Sequence, residues 1–440
     1  MKGFSVHCNE INKLKQDKLL EIFCDLAQIP SPSLSEDKVI YFIQEFCVQN
    51  NIPCELDEYM NILIKIGAKN PQRQPILLSA HMDVVGDFSP INLELDADFV
   101  QTDKTRTLGA DNKVGVACAL LLAYELTHPE FQSKLDFDLG SRLGFPAQQH
   151  EIDHGGLEII FTRDEEHGMS GIKHVEFNKI QSKYVLVLDS DKLGQLLVSG
   201  ASYTNAILKV TTKYGGHSGI DIHDEKRLNA AKLIAELVLK IPQGVFYSDE
   251  TGTITSINLG TIIGGNIQNT VTKIVTDKIQ SKNYLNYFIE NSVTNVINTN
   301  AQASYSIRSA DVAKENELKQ IIEKHVADFN YKYGDLANAE IVFSQHLPPF
   351  EKANDDFVEK IHSVVCEKLG IKPEVASFHA GAETHIYAQN TNLSGEKFLP
   401  FLVGLADIFN MHSCDEKVDY KTMLKGYELL KQMFIGFNLL

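Results

Sequence analysis

An excess of basic residues is the first thing this 440-residue chain lacks. Lys plus Arg total 41 against 58 for Asp plus Glu, a formal charge of −17. Such a chain has no non-specific electrostatic hold on nucleic acid or anionic lipid, so neither is expected as a partner. Also missing is an unbroken apolar run of about 18 residues, the length a membrane span needs. The opening Met1-Lys2-Gly3-Phe4-Ser5-Val6-His7-Cys8-Asn9-Glu10 turns polar at once, so no secretory leader is expected. Seven cysteines, odd in number, scattered and without a C-x-x-C pair, fit reduced thiols and a cytoplasmic home. No internal repeat is evident. Hydrophobic residues at 43% and charged residues at 22% exclude wholesale disorder, and the length suits two large domains or about three smaller ones.

Apolar residues at three-to-four spacing predict two helices between residues 15 and 50, separated by the Pro30-Ser31-Pro32-Ser33 turn. Short apolar runs at 61–66, 76–80, 157–162 and 184–188 read as strands, with a helix over 113–126 between the second and third. Alternation of this kind predicts an α/β domain with a largely buried, mostly parallel central sheet flanked by helices. From about Ser202 the pattern changes. A strand (Ala206, Leu208, Val210), a helix at 228–239, strands at 254–259, 271–275 and 303–307, and a helix at 315–329 follow one another. That βαββαβ order predicts a smaller, ferredoxin-like α+β domain with two helices on one face of its sheet. The polar stretch Thr276–Asn300 reads as an excursion between two of its strands. A helix over 357–369 then resumes the first domain. The expected division is a discontinuous domain of 1–200 and 348–440 with 201–347 inserted.

Acidic residues and histidines recur just past the predicted strands, where open α/β sheets place ligands. His81-Met82-Asp83 ends one strand. Residues two apart in an extended chain share a side, so Asp83 can fix the tautomer of His81. Gly109-Ala110-Asp111-Asn112 presents a carboxylate at a helix start. Asp164-Glu165-Glu166-His167 follows another strand, and Leu188-Asp189-Ser190-Asp191 a fourth. Each has a plain structural alternative: a hydrogen-bonded strand-end histidine, a helix N-cap, a solvated acidic loop, an Asx turn. Together they imply more. Four carboxylates converging with a histidine at one sheet edge would repel one another strongly unless a multivalent cation neutralised them. The mixed donor set suits zinc, with manganese or cobalt as substitutes, and His412, near Asp415-Glu416, is the best-placed distant ligand.

With Gly215-Gly216-His217-Ser218-Gly219 added, these motifs resemble, in order and approximate spacing, the co-catalytic zinc peptidase family of peptidase T, the aminoacyl-histidine dipeptidases, carboxypeptidase G and acetylornithine deacetylase. The resemblance covers nearly the whole chain. Gly-Ala-Asp-Asn and Leu-Asp-Ser-Asp look most like peptidase T. The Gly-Gly-His-Ser-Gly segment with Asp221-Ile222-His223, and His379-Ala380-Gly381-Ala382-Glu383, look more like the histidine dipeptidases.

The resemblance implies two divalent metal ions, zinc with manganese or cobalt as alternatives, bridged by Asp111, with His81 and Asp189 on one and Glu166 and His412 on the other. It implies Glu165 as general base for a metal-bridging hydroxide, with Asp83 supporting the site. The inserted domain resembles the family's lid, implying a homodimer, with His217 helping to hold the oxyanion. Asn269 and Arg308 match lid positions that contact the substrate's carboxylate end, and His379 and Glu383 match substrate-recognition positions. Two departures stand out: Asn269 lacks the usual following Ile-Pro, and the segment near 132–153 is longer than the pattern. The implied activity is that of a metallo-exopeptidase trimming di- or tripeptides from the amino end. Alternatives are an Xaa-His dipeptidase, an N-acyl amino acid amidohydrolase, and a catalytically silent assembly protein. The last is disfavoured because every ligand and the base are present.

Overall fold

The computed structural model describes residues 11–128, 154–249, 253–264 and 294–437. The first helix, Lys18–Ala27, starts at Asp17, whose carboxylate accepts from the amides of Leu19 and Leu20. Its Leu19, Phe23 and Leu26 are buried. The second, Asp37–Gln49, buries Val39, Ile40 and Ile43 at the same spacing.

Eight strands form one sheet, in the order Cys54–Leu56, Ile62–Ile66, Leu157–Thr162, Ile76–His81, Tyr184–Ser190, Leu399–Gly404, Gln195–Gly200, Glu374–Phe378. The four strands from Leu157–Thr162 to Leu399–Gly404 run parallel. Antiparallel partners adjoin them on both sides. The central strands are apolar on both faces because both are covered. Along Ile76–His81, residues Ile76, Leu78 and Ala80 join a core built with helices Lys18–Ala27, Ala110–Thr127 and Tyr420–Phe437. Leu77 joins a second core with Ile160, Val185, Val187 and Tyr387. The helix Ala110–Thr127 is apolar on nearly every side and accordingly buried.

A small sheet of Ile408–Phe409, Lys417–Asp419, Phe99–Thr102 and Leu93–Asp96 carries the loop that contains His412. Its strands are too short to show a period in the sequence.

Two compact units emerge. Described residues of Met1–Ser199, Phe350–Phe378 and Ala382–Leu440 form one, and those of Gly200–Pro349 with His379–Gly381 form the other. The second unit is an antiparallel sheet in the order Gly244–Ser248, Ile254–Gly264, Asn300–Ser309, Tyr203–Thr212, Ala337–Leu347. Helices Ala230–Val238 and Val312–Tyr333 pack into a single core with its Ala206, Leu208, Ala303 and Ile307. This differs from the expected order in two strands, Gly244–Ser248 and Ala337–Leu347, whose outward residues are polar or isolated and so gave little signal. The expected strand at 271–275 lies outside the described residues, as do 132–153 and 276–293. The polar excursion ends earlier than expected. Asn300 already begins a strand, because Ala301, Ala303, Tyr305 and Ile307 alternate into the core. Among the described residues no helix is long and apolar enough to cross a membrane.

Helix Tyr420–Phe437 buries Met423, Tyr427, Leu430, Phe434 and Phe437 at helical spacing, and passes so close to the chain at Leu405 that a methyl group on Gly426 would fall on the Leu405 carbonyl oxygen. Alanine in place of glycine normally favours a helix by up to about 1 kcal/mol. Here the clash dominates, and Gly426→Ala is expected to destabilise the protein by about 2 kcal/mol. A lowered urea midpoint with an unchanged slope is the expected readout.

Candidate active site

Three parallel strands end at one edge of the large sheet, and each delivers an acid or imidazole there. His81 is the last residue of its strand and pairs in register with Thr162. Asp189 is the penultimate residue of the adjoining strand Tyr184–Ser190. Just beyond Thr162, Asp164 adopts a left-handed conformation and the chain turns into the single helical turn Glu165–Gly168. Asp111 reaches the same edge from the turn before its helix. Gly109 stands at φ +73°, and a side chain there would meet Val84 at 2.7 Å, so only glycine fits. The helix is regular only from Lys113. Asp111 itself is extended (φ −81°, ψ 103°), and its peptide bond to Asn112 is cis. The capping alternative is thus divided between the two residues. Asn112 accepts from the Gly115 amide at 3.2 Å, while Asp111 turns its carboxylate away to other partners.

Those partners are two imidazoles. Asp111 Oδ1 lies 3.1 Å from His81 Nε2 and Oδ2 lies 3.1 Å from His412 Nε2. Each imidazole has a second acid of its own: His81 Nε2 is 3.3 Å from Asp189 Oδ1, and His412 Nε2 is 2.9 Å from Glu166 Oε1. Ligand atoms of His81, Asp111 and Glu166 all lie within 4.8 Å of one another, close enough to hold a metal ion. His81, Asp189 and Asp111 form one group of candidate donors, and Asp111, Glu166 and His412 a second. Nitrogen and carboxylate donors in this mixture fit divalent transition ions.

The supporting contacts come from acids that are not in either donor set. His81 Nδ1 faces the Asp83 carbonyl oxygen at 3.0 Å and the Asp83 carboxylate at 3.4 Å. That carboxylate also accepts from the amides of Glu165 and Glu166, at 2.9 and 3.1 Å, and from the Ser33 hydroxyl at 2.7 Å. Glu36, wholly buried, accepts from the amides of Leu34 and Asp164 and pairs with the Arg163 guanidinium at 2.9 Å. Ser31 Oγ donates to the Met82 carbonyl oxygen. The Pro30–Ser33 segment, legible in the sequence only as a break between helices, is therefore the brace behind both the His81 and the Glu165 turns. Its Pro-Ser-Pro-Ser composition marks a fixed turn and nothing in it marks the partners.

Charge in the cluster is strongly perturbed. Burial opposes ionisation of Asp111, yet His412 and His81 hold its carboxyl well below the usual range. Burial, reinforced by Asp111, pushes Asp189 up to about 7. The hydrogen bond to Asp111 raises His412 to about 9. Burial lifts Glu165 well above the ordinary carboxylate range; His81 opposes this, and Asp189, Glu383 and Glu166 add to it.

The remaining sequence candidates are placed elsewhere. Glu383 is buried in the first unit and accepts from Ser79, two residues before His81. His217 belongs to the second unit, exposed, its ring accepting from the Gly219 amide. Arg308 lies over the Tyr203 ring at 4.8 Å, and His379 meets Ser256 Oγ at 2.9 Å, both within the second unit. Asn269 lies outside the described residues.

A paired imidazole–carboxylate centre at the carboxyl edge of a parallel sheet fits a metal-dependent hydrolase. Comparison with known proteins identifies which kind. Residues 146–435 match the model of Peptidase family M20/M25/M40, and residues 61–218 that of Peptidase family M28. The chain is 24% identical to the uncharacterised protein YqjE of Bacillus subtilis over 95% of its own length and 97% of that protein's. It is 23% identical to peptidase T of Listeria monocytogenes serotype 4a, over 96% of this chain and 88% of that one. The crystal structure of aminopeptidase PepT from Bacillus cereus superposes with a TM-score of 0.75 at 20% identity, covering 95% of this chain and 98% of that chain. The chain belongs to peptidase family M20/M25/M40, and it is a peptide hydrolase.

Because Glu36 holds the turn before Glu165 and Glu166, Glu36→Ala leaves the Asp164 amide and the Arg163 guanidinium without their partner. The expected cost is about 3 kcal/mol, since removing one member of a buried ion pair exceeds the worth of a surface pair. Chemical denaturation measures it.

Proposed function

We propose that this metal-dependent exopeptidase removes the amino-terminal residue from tripeptides and dipeptides. One observation carries the reading: a single carboxylate, Asp111, is shared between two imidazoles, each with its own acid partner, which makes two adjacent cation sites out of five side chains. His81, Asp189 and Asp111 would hold one ion, and Asp111, Glu166 and His412 the other. Bound there, two divalent cations, zinc by preference and manganese or cobalt as substitutes, supply Lewis acidity for water and for the scissile carbonyl. Glu165 accepts a proton from the attacking water and returns it to the leaving amine, a task its raised proton affinity suits. Asp83 keeps His81 in one tautomer and orients the amides of Glu165 and Glu166.

The similarity to peptidase T supports short peptides as substrates. We read the second unit as a lid and dimerisation unit, with His217, Asn269, Arg308 and His379 recognising substrate, and Glu383 as support beneath the His81 strand. The proposed location is the cytoplasm.

The test is a chelated preparation with zinc, manganese or cobalt added back, assayed against tripeptides, Xaa-His dipeptides and N-acetyl amino acids. Metal-dependent release of the first residue from tripeptides is expected, with kcat lowered on the order of 10²–10⁴-fold in Glu165→Ala. Preference for Xaa-His dipeptides shifts the assignment to a histidine dipeptidase, and turnover of acetylated compounds alone overturns the peptidase reading. Bound metal with no turnover supports a silent relative.

A further inference from the structure

The turn that carries Asp111 is capped from outside. Gly109, at the N-cap position, offers no side chain, and the amides of the first turn have no helical carbonyl to meet. Glu416, 305 residues further along the chain than Asp111, supplies the acceptors. Its Oε2 accepts from the Gly109 amide at 2.7 Å and from the Thr107 hydroxyl, and its Oε1 accepts from the Asp111 amide at 3.3 Å. The side chain is 1% exposed, so water does not compete.

Glu416 also belongs to the loop that presents His412, and its amide donates to the Ser413 carbonyl oxygen at 3.2 Å. Further ties within that loop are exposed ones: Ser413 Oγ to the Asn410 carbonyl, the Asp415 amide to Ser413 Oγ, Asn410 Nδ2 to the Asp415 carbonyl, and the Lys104–Asp415 ion pair. His412 itself is half-exposed, at φ +62°. One buried carboxylate thus joins the loop of His412 to the turn of Asp111, whose side chains meet 3.1 Å apart. His81 and Asp189, by contrast, are fixed by adjoining strands of the large sheet.

We propose that Glu416 is a positioning residue for one of the two cations: it sets the separation of Asp111 and His412, and so the affinity of the ion held by Asp111, Glu166 and His412. The ion held by His81, Asp189 and Asp111 depends on it far less. This rests on the two-cation reading above, and metal binding tests it apart from peptidase activity.

The chelated native chain, Glu416→Gln and Thr107→Val are titrated calorimetrically with Mn²⁺ and with Zn²⁺, and their Co²⁺ absorption spectra recorded. Glutamine keeps the size but turns a donor toward amide and hydroxyl donors, whereas valine removes only the Thr107 hydroxyl. The native chain is expected to bind two ions. In Glu416→Gln one ion should bind at least tenfold more weakly while the other changes less than threefold. The Co²⁺ spectrum of the weakened site should change, and kcat should recover at high metal with KM for peptide unchanged. Thr107→Val should show the same asymmetry in smaller degree. Unchanged affinities in Glu416→Gln, or equal weakening of both ions, overturn the proposal and leave the two-cation reading intact. A native chain that binds fewer than two ions overturns both. Should Glu416→Gln lose its native circular dichroism, Thr107→Val decides: asymmetric weakening supports the proposal, and native affinities overturn it.

Discussion

Asp111 offers one carboxylate oxygen to each of two imidazoles, 3.1 Å away on either side, and the rest of the first unit is organised around keeping that carboxylate where it is. A shared donor is a severe constraint. Any movement of Asp111 lengthens one contact as it shortens another, so strand, turn and loop must be fixed against each other. The electrostatics are equally demanding. Two unit charges 4 Å apart at an effective dielectric constant near 20 interact by about 4 kcal/mol, repulsive for like charges. Asp111, Asp189, Glu165 and Glu166 crowd one sheet edge, and burial, reinforced by that crowding, raises the proton affinities of Asp189 and Glu165. Divalent cations relieve it, which is why the donor set and the charge balance lead to one conclusion.

The supports of this centre are themselves acids. Asp83, Glu36 and Glu416 are buried, and all three spend their oxygens on backbone amides at sharp turns: those of Glu165 and Glu166, of Leu34 and Asp164, of Gly109 and Asp111. Turns with residues at positive φ, such as Asp164 and Gly109, present amides that no helix or strand carbonyl reaches. A carboxylate accepts several such donors at once, and hydrogen bonds to a charged acceptor are about twice as strong as neutral ones. Rigid turns and a dense negative charge therefore come together. Part of the chain's −17 charge is a structural device, separate from the donors that face the cations.

How far the site could be read from sequence follows from the same division. Two of the candidate donors were legible because each closes an unmistakable apolar run, His81 after Ile76–Ala80 and Asp189 after Tyr184–Leu188, whereas Asp111 opens a helix and His412 lies in a loop without such a run. The helices at 18–27, 37–49 and 357–369 were legible for the same reason of period. The braces were not. Ser33 reaches Asp83 across 50 residues, Glu36 reaches Asp164 across 128, and Glu416 reaches Gly109 across 307. No local pattern encodes such pairings, and a buried glutamate looks like a surface one until the fold is known. The short strands Ile408–Phe409 and Lys417–Asp419 escaped for a related reason, since two or three residues cannot display alternation. In the second unit, His217, Arg308 and His379 were named by resemblance alone, and their partners Asp221, Tyr203 and Ser256 are again visible only in three dimensions.

One pairing makes the interrupted first unit into a single scaffold. Leu399–Gly404, from the returning segment, runs parallel to Tyr184–Ser190, with Leu399 opposite Tyr184, Leu402 opposite Val187 and Gly404 opposite Ser190. Asp189 lies on one of these strands, and the other leads within eight residues to His412. A slip of one residue would turn Phe401 and Val403 out of one core and Leu402 out of the other, so burial on both faces specifies the register. The register in turn fixes how far along the edge the His412 loop emerges. Glu416 then closes the remaining freedom by tying that loop to the Asp111 turn. Burial on both faces of these strands brings the His412 loop to the edge that carries Asp189, and three hydrogen bonds to a buried carboxylate tie that loop to the Asp111 turn.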